Sequence, residues 1–160
     1  MTHSVLHTTD TLQSKPILGW REWVTIPELN LEHIKAKIDT GAKSSALHAF
    51  AIEPYRKQNQ RWVMFAIHPE QNNTDIVIEC HAAVKDRRIV SDSGGHKQRR
   101  YVIETPLLLG PAIITAEITL TNRDSMLFRM LIGRTTLNER FMIDPSASYC
   151  QEKSDSPSTV

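Results

Sequence analysis

The chain has 160 residues, with 19 basic and 18 acidic side chains and a formal net charge of +1. This length is sufficient for one domain with its own hydrophobic core. The balanced charge gives no electrostatic basis for binding nucleic acid or an anionic membrane surface. The longest apolar region, 107–120, is interrupted by Gly110-Pro111 and by polar residues, so we expect no membrane-spanning segment.

Composition also divides the chain into three parts. The first 16 residues are polar and lack the apolar core of a secretory signal. We predict a flexible segment at 1–16, a folded domain at 17–149 and a disordered tail at 150–160. The sparse cysteines, Cys80 and Cys150, favour a reducing compartment and hence a cytoplasmic location, although the sequence leaves a disulfide between them open.

Taken in chain order, the hydrophobic pattern is that of many short strands. We predict strands at about 18–27, 33–38, 61–68, 75–90, 99–109, 113–121, 128–132 and 141–144. The intervening turns are expected at 54–60, 69–74, 91–95, 110–111 and 122–124. Helix is limited to one turn after Ala42 and one after Arg134. Such a pattern predicts an all-β fold that forms a closed or nearly closed antiparallel barrel.

The strongest functional feature is the strand that ends in Asp39-Thr40-Gly41-Ala42. Apolar and polar residues alternate from 33 to 38, so Asp39 begins the turn after a half-buried strand. An aspartic peptidase needs a carboxylate at a strand end, a neighbouring hydroxyl and a glycine that allows a partner loop to approach. The structural alternative is a turn that Asp39 caps with its side chain.

Two further sequence motifs follow Asp39 in the chain, a Gly-Gly break between predicted strands and an apolar run that ends in Gly-Arg. Met130-Leu131-Ile132-Gly133-Arg134 places apolar residues before Gly-Arg and a predicted helical turn. Between this segment and Asp39, Ser93-Gly94-Gly95-His96 interrupts two predicted strands, as the tip of a hairpin flap does. In content and order these motifs resemble the retroviral, or retropepsin, type of aspartic protease.

The chain is most similar to a bacterial retropepsin-like family labelled ATP-dependent zinc protease, whose members are often encoded near glutamate-ligase-type enzymes. The resemblance covers most of 17–149 and rests on Leu18–Glu22, Ile38–Ala49, Arg100–Ile103 and Met130–Pro145. It implies a barrel of the retropepsin (acid protease) type. It also implies an aspartic-type endopeptidase that hydrolyses peptide or isopeptide bonds of a peptide or protein, with an ATP-grasp ligase as a potential partner.

Such an enzyme needs two carboxylates that share one proton, because two like charges this close do not both ionise. One carboxylate deprotonates a water and the other protonates the scissile carbonyl. Asp-Thr-Gly occurs once in the chain, so we expect a homodimer with Asp39 of each copy at the two-fold axis. The resemblance assigns Thr40 and Gly41 to the catalytic loop, Ala42, Ile132, Gly133 and Arg134 to its support, and Gly94 and Gly95 to the flap.

Two departures from the retroviral pattern keep another function open. An added segment lies around 54–73, and Lys43 stands where retroviral enzymes tend to carry an acidic residue. A cation there favours two ionised carboxylates over the singly protonated pair. The alternative is a non-catalytic module that binds a peptide or a ligase-type partner. Hydrolysis of a non-standard amide by the same residues is a third possibility.

Zinc and ATP are suggested only by the family label. The chain has no His-Glu-x-x-His and no Gly-rich Lys-Ser/Thr phosphate loop. Cys80 and His81 are adjacent on a predicted strand, so their side chains point to opposite faces. His48 follows the Asp39 motif and is the most plausible functional histidine of the chain. The structural alternative is a polar residue at a helix end whose hydrogen bonds are satisfied. We therefore expect no metal ligands and no cofactor.

Overall fold

The computed structural model describes residues 15–92, 94–122 and 127–157. Its strands are β1 (Ile17–Leu18), β2 (Arg21–Ile26), β3 (Leu31–Ile38), β4 (Ser45–His48), β5 (Phe50–Lys57), β6 (Gln60–Ile67), β7 (Ile78–Ala83), β8 (Asp86–Ser91), β9 (Lys97–Leu109), β10 (Ala112–Thr121), β11 (Met130–Ile132) and β12 (Met142–Ile143). A 3-10 turn spans Pro27–Leu29, and the short helix α1 spans Arg134–Leu137.

Six strands close into a barrel. They are hydrogen-bonded in the order β10-β4-β11-β3-β2-β9, and the pairing of β9 with β10 completes the circle, while β8 extends the sheet beyond β9. The interior is filled by fully buried aliphatic side chains, among them Ile34, Leu47, Ile103 and Ile118. The predicted all-β closed barrel is confirmed. It is mixed, because β3 and β11 run parallel, as do β4 and β10.

The placement of β11 organises the functional edge of the barrel. It lies between β3 and β4, parallel to the first and antiparallel to the second. In this register Ile132 stands opposite Ile38, so both strands end at the same edge of the sheet. The residues that follow them, Asp39 and Gly133, are therefore brought side by side although they are far apart in sequence.

The added segment forms a sheet of its own, in the order β5-β6-β7. The predicted turn at 54–60 is wrong, because Pro54 lies within β5, opposite Val63. β5 is an edge strand, which tolerates a residue without an N–H. The single strand predicted at 75–90 is two strands, β7 and β8, separated at Val84-Lys85, where both backbone N–H groups bond to other strands.

One of the two predicted helical turns is present. Helix α1 begins at Arg134 as expected. The turn of helix expected after Ala42 is absent; the chain instead turns at Thr40 and Gly41 and enters β4. All four residues of β4 are buried, since this strand pairs with β10 on one side and β11 on the other, and these tertiary pairings outweigh local helix preference.

The tail differs from the prediction of disorder over the residues that the structure describes. Residues 151–157 lie along β2 and β3. The hydroxyl of Thr25 donates to the carbonyl of Ser154 at 2.7 Å, and His33 Nε2 lies 2.9 Å from Asp155 Oδ1. The predicted flexible segment at 1–16 lies almost wholly outside the described residues.

A buried carboxylate anchors the beginning of this tail. Glu22 is fully buried and accepts backbone N–H groups from Gly19 at 2.7 Å, Cys150 at 2.8 Å and Gln151 at 3.1 Å. The sulfur atoms of Cys80 and Cys150 are not bonded to each other. Among the described residues, no helix has the length and apolar character needed to cross a bilayer.

Candidate active site

Asp39 leaves the end of β3 in a loop, residues 39–44, that is hydrogen-bonded to the end of β11. The backbone N–H of Asp39 donates to the carbonyl of Ile132 at 2.9 Å, so the residue continues the strand pairing. The N–H of Gly41 donates to Asp39 Oδ1 at 3.0 Å. The carboxylate is half-exposed, and Thr40 and Gly41 are exposed beside it. The loop therefore presents an oriented carboxylate at the surface.

Gly133 lies directly beneath this loop, where a side chain does not fit. A Cβ atom on Gly133 would come within 2.5 Å of the carbonyl carbon and oxygen of Ser44. The N–H of Gly133 donates to Ser45 Oγ at 3.1 Å, and that hydroxyl lies 2.8 Å from Thr136 Oγ1. The absence of a side chain at Gly133 lets two backbone segments come into contact, and Ser45 joins β4, β11 and α1 below the loop.

Arg134 spans the loop from the other side. Its backbone N–H donates to the carbonyl of Ala42 at 2.9 Å, and its Nη1 donates to the carbonyl of Thr40 at 3.1 Å. The next residue also contributes, since the N–H of Thr135 donates to the carbonyl of Lys43 at 3.0 Å. The structure thus brings together all the residues that the sequence proposed for the loop and its support.

The predicted flap is the hairpin of β8 and β9, with Gly94 and Gly95 at its tip. Asp92 caps the turn, as its Oδ1 accepts the N–H groups of Gly94 at 2.9 Å and His96 at 2.8 Å. Gly95 has φ +82°, a conformation that favours glycine. Ser93 lies outside the described residues. The glycines therefore stand at the end of a two-stranded arm, as a flap requires.

The cation that follows the motif does not neutralise Asp39. Lys43 is exposed, and no nitrogen of the described lysines and arginines lies within 4.0 Å of the Asp39 carboxylate. Lys37 precedes Asp39 by two residues and faces the same side of β3. The two lysines flank the loop and make its surroundings cationic.

The histidines and cysteines do not assemble a metal site in the described part of the chain. Nowhere in it do three His, Cys, Asp or Glu side chains meet with the spacing of metal ligands. His48 is buried in β4, and its backbone N–H donates to the carbonyl of Arg129. Burial raises the pKa of the Cys80 thiol to about 12, and a protonated thiol is a poor metal ligand.

Sequence reasoning missed three buried polar residues of this region. Ser45 and Thr136 form the hydroxyl pair under the loop, and Glu22 binds the tail. Because the sequence predicts a helical turn after Ala42, it gives no reason to expect a buried role for Ser45. Glu22 carried a weak signal, a charged residue within the apolar stretch 18–27, which indicates either an exposed face or a satisfied buried carboxylate.

A six-stranded barrel with β11 inserted between β3 and β4, beneath an Asp-Thr-Gly loop, is the architecture of a retropepsin-like domain. The chain belongs to the RimB-like family, described as retropepsin-like aspartic endopeptidase RimB, whose profile matches residues 17–154. The resemblance inferred from the motifs is thereby confirmed.

Curated relatives carry a different name. A probable alpha-L-glutamate ligase of Shewanella pealeana is 43% identical over 143 residues, which are 89% of this chain and 31% of that protein. A protein of the same name from Parasynechococcus marenigrum is 43% identical over 135 residues, or 84% of this chain and 29% of that protein. The chain thus spans just under a third of the length of the curated relatives it matches.

A solved structure shares the architecture. The crystal structure of Lpg0085 from Legionella pneumophila, a protein of unknown function, superimposes with a TM-score of 0.70 at 26% identity. The match covers 85% of this chain and 98% of that chain.

Proposed function

We propose that this protein is an aspartic-type endopeptidase in which a homodimer holds the attacking water between the two copies of Asp39. The observation that carries the proposal is the bracing of the Asp39 loop. Its carboxylate is oriented by Gly41, supported by Ile132 and Arg134, and accessible from solvent. A loop that served only as a connection would not need support from both the end of β11 and the start of α1.

The chemistry requires little beyond the two carboxylates. One ionised Asp39 accepts a proton from the water as its oxygen attacks the carbonyl carbon, while the protonated Asp39 of the second copy donates to the carbonyl oxygen. Collapse of the tetrahedral species returns a proton to the leaving amine. The N–H of Gly41 donates to Oδ1 and orients the carboxylate, which keeps lone pairs available for the water and the second carboxylate.

Dimerisation follows from the single motif. Asp-Thr-Gly occurs once in the chain, and the exposed Thr40 and Gly41 are small enough for a second copy of the loop to come close. A two-fold axis beside Asp39 makes the contact isologous, with Thr40 of each loop against the other. The flap tips at Gly94 and Gly95 then close over the substrate and exclude water.

The substrate class that we propose is a glutamate-rich peptide. Support comes from the relatives named probable alpha-L-glutamate ligase, which match this chain over just under a third of their own length and whose name points to glutamate. The lysines that flank Asp39, Lys37 and Lys43, complement carboxylate side chains on either side of the scissile bond.

A second candidate function rests on the same relatives. Because they are named ligases, the domain could act as a non-catalytic module that holds a peptide for a ligase-type partner. Solution mass separates the two functions at low cost, since a strict monomer does not bring two Asp39 carboxylates together.

The decisive experiment compares wild type with Asp39→Asn on a peptide library that includes α-linked oligoglutamates, read by mass spectrometry from acidic to neutral pH. Asp75→Asn is the matched control, because Asp75 is exposed and its side chain makes no described contact. We expect cuts by wild type and the control and none by Asp39→Asn. Cuts that persist in Asp39→Asn, or no cuts by any protein, would exclude the peptidase.

A further inference from the structure

Four basic side chains form a band on the outer face of the β2–β3 hairpin. We name this band the cationic track and define it as Arg21, Lys37, Lys35 and Lys153. Arg21 stands directly opposite Lys37, and Trp23 stands directly opposite Lys35. Lys153 joins them from the tail, with its Nζ 4.3 Å from the centroid of the Trp23 ring, while the Nζ of Lys35 lies 5.6 Å from that centroid. The track therefore leads from the Asp39 loop to Trp23.

The positive charge of the track is not balanced within the described part of the chain. No described carboxylate lies within 4.0 Å of any of its four cationic groups. Like charges directly opposite each other on neighbouring strands are destabilising, as Arg21 and Lys37 are here. The guanidinium of Arg21 lies over the rings of Trp20 and Tyr149, 4.6 Å and 5.0 Å from their centroids, but these contacts leave its charge without a described counterion.

A groove of about 850 Å³ continues the track at its far end. Trp23, Lys35 and His33 form one side, Lys153 and Pro157 of the tail another, and Pro69 a third. The indole of Trp23 is held in place by stacking on Tyr149, with ring centroids 5.1 Å apart. The groove is thus built on a fixed aromatic side chain with two ammonium groups above it.

The acidic residues around the groove already have partners. Glu32 accepts the N–H of Ser156 at 3.3 Å, Asp155 pairs with His33, and Glu70 accepts the amide of Asn73 at 3.0 Å. These contacts hold the wall carboxylates in place but leave them charged, so the groove carries both signs of charge. The ammonium groups of Lys35 and Lys153 have no described carboxylate within 4.0 Å and remain available to an anion.

We propose that the cationic track and the groove form an exosite for an extended acidic peptide, so that a substrate is held by Lys35 and Lys153 while a distant bond is cleaved at Asp39. The spacing fits such a chain. Lys35 and Lys37 are two residues apart on one face of β3, or roughly 7 Å, which is also the spacing of alternate side chains in an extended peptide. From Lys35 to Asp39 the chain spans roughly 13 Å, the length of about four extended residues.

The exosite deepens the proposed function and rests on it for its position beside a cleavage site. A peptide fits the track better than a nucleic acid does, because the chain as a whole carries a net charge of only +1. A long acidic peptide engages Asp39 and the groove together, whereas a short one engages Asp39 alone. The exosite therefore adds affinity for long substrates without altering the chemical step.

The test measures binding apart from cleavage. Fluorescein-labelled α-linked oligoglutamates, one long enough to reach from Asp39 to the groove and one too short, are titrated by anisotropy into Asp39→Asn protein. The same protein with Lys35→Gln and Lys153→Gln is compared with a control that carries Lys57→Gln and Arg61→Gln, two exposed basic residues of the separate β5–β6 hairpin. We expect the long peptide to bind roughly three- to tenfold more weakly after the track substitutions, and the short peptide to be unaffected.

Kinetics and competition complete the test. In the Asp39 enzyme, the track substitutions should raise KM for the long peptide and leave kcat unchanged. Equal binding of the long peptide by track and control variants would overturn the exosite even if cleavage is observed. A single-stranded DNA that competes as well as oligoglutamate at equal charge would overturn it in favour of a nucleic-acid site. If no variant cleaves the peptide but the track substitutions still weaken its binding, the peptidase is overturned and the exosite stands.

Discussion

Arg134 and Thr40 are joined across the candidate active site although 94 residues separate them. The guanidinium of Arg134 donates to the carbonyl of Thr40 at 3.1 Å, while its backbone N–H donates to the carbonyl of Ala42. One residue thus supports the loop on both sides of Gly41. An exposed arginine that bonds a main-chain carbonyl positions that backbone, and it needs no contact with the reacting atoms to affect the rate.

Replacing Arg134 with lysine tests this positioning. Lysine keeps the charge but lacks the planar fork of donors, so we expect the loop to loosen. Loss of a hydrogen bond worth about 1 kcal/mol should lower kcat/KM by roughly fivefold, with a small change in melting temperature. Arg61→Lys, at an exposed position, is the control. Equal kcat/KM values for the two variants would rule out the positioning role.

Gly133→Ala should destabilise the fold. The new methyl group would meet the Ser44 backbone at 2.5 Å, and backbone atoms do not move aside cheaply. Overpacking of this kind costs about 1–3 kcal/mol, which corresponds to roughly 3–10 °C in the melting temperature of a domain of this size. Gly94→Ala is a suitable control, because its methyl group would meet flexible side chains of His96 and Asp92. A Gly133→Ala melting temperature equal to that of wild type would contradict the close approach.

Glu22→Gln should release the tail. Two N–H groups point at one oxygen of Glu22 and a third points at the other, so a glutamine amide in either orientation places its NH2 against at least one donor. Leaving a buried donor unsatisfied costs about 1–3 kcal/mol. We expect a lower melting temperature and faster proteolysis at 150–157. Glu152→Gln, at an exposed position, should change neither, and resistance to protease in both variants would refute the anchoring role.

The ion pairs between β8 and β10 make stability dependent on pH. Arg88 bonds to Glu117 at 2.6 Å, and this contact, together with Lys85, holds the pKa of Glu117 below its ordinary value. A lowered folded-state pKa stabilises the fold above the unfolded value near 4.5, and that contribution is lost as the pH falls through the folded pKa. Wild type should therefore melt about 1–3 °C above Glu117→Gln at neutral pH.

The sign of this effect is checked in acid. Below the folded pKa of Glu117 both proteins carry an uncharged group at this position, so their melting temperatures should converge. Glu53→Gln is the control, since Glu53 is exposed and makes no described ion pair. A difference between wild type and Glu117→Gln that grows as the pH falls would show that another interaction dominates.

The local sequence pattern predicted a strand correctly wherever one face of that strand packs against the core. The alternation of apolar and polar residues identified β3, β9, β10 and β11 closely. It failed at β4, which is buried on both sides and has no alternation, and at β5, where Pro54 is tolerated only because the strand lies at an edge. Both failures have the same cause. The position of a strand within its sheet depends on partner strands that are distant in sequence, and a local pattern does not report them.

Short motifs and strand periodicity were sufficient to predict the family, the closed β-barrel and the residues of the Asp39 loop, because both depend on residues that are neighbours in the chain. No local pattern predicts that β11 lies between β3 and β4, that Ser44 packs against Gly133, or that Glu22 binds the tail. Those contacts join segments about 90 to 130 residues apart. The cationic track belongs to the same class, because a lysine of the tail meets the lysines of β3 only after the barrel has closed.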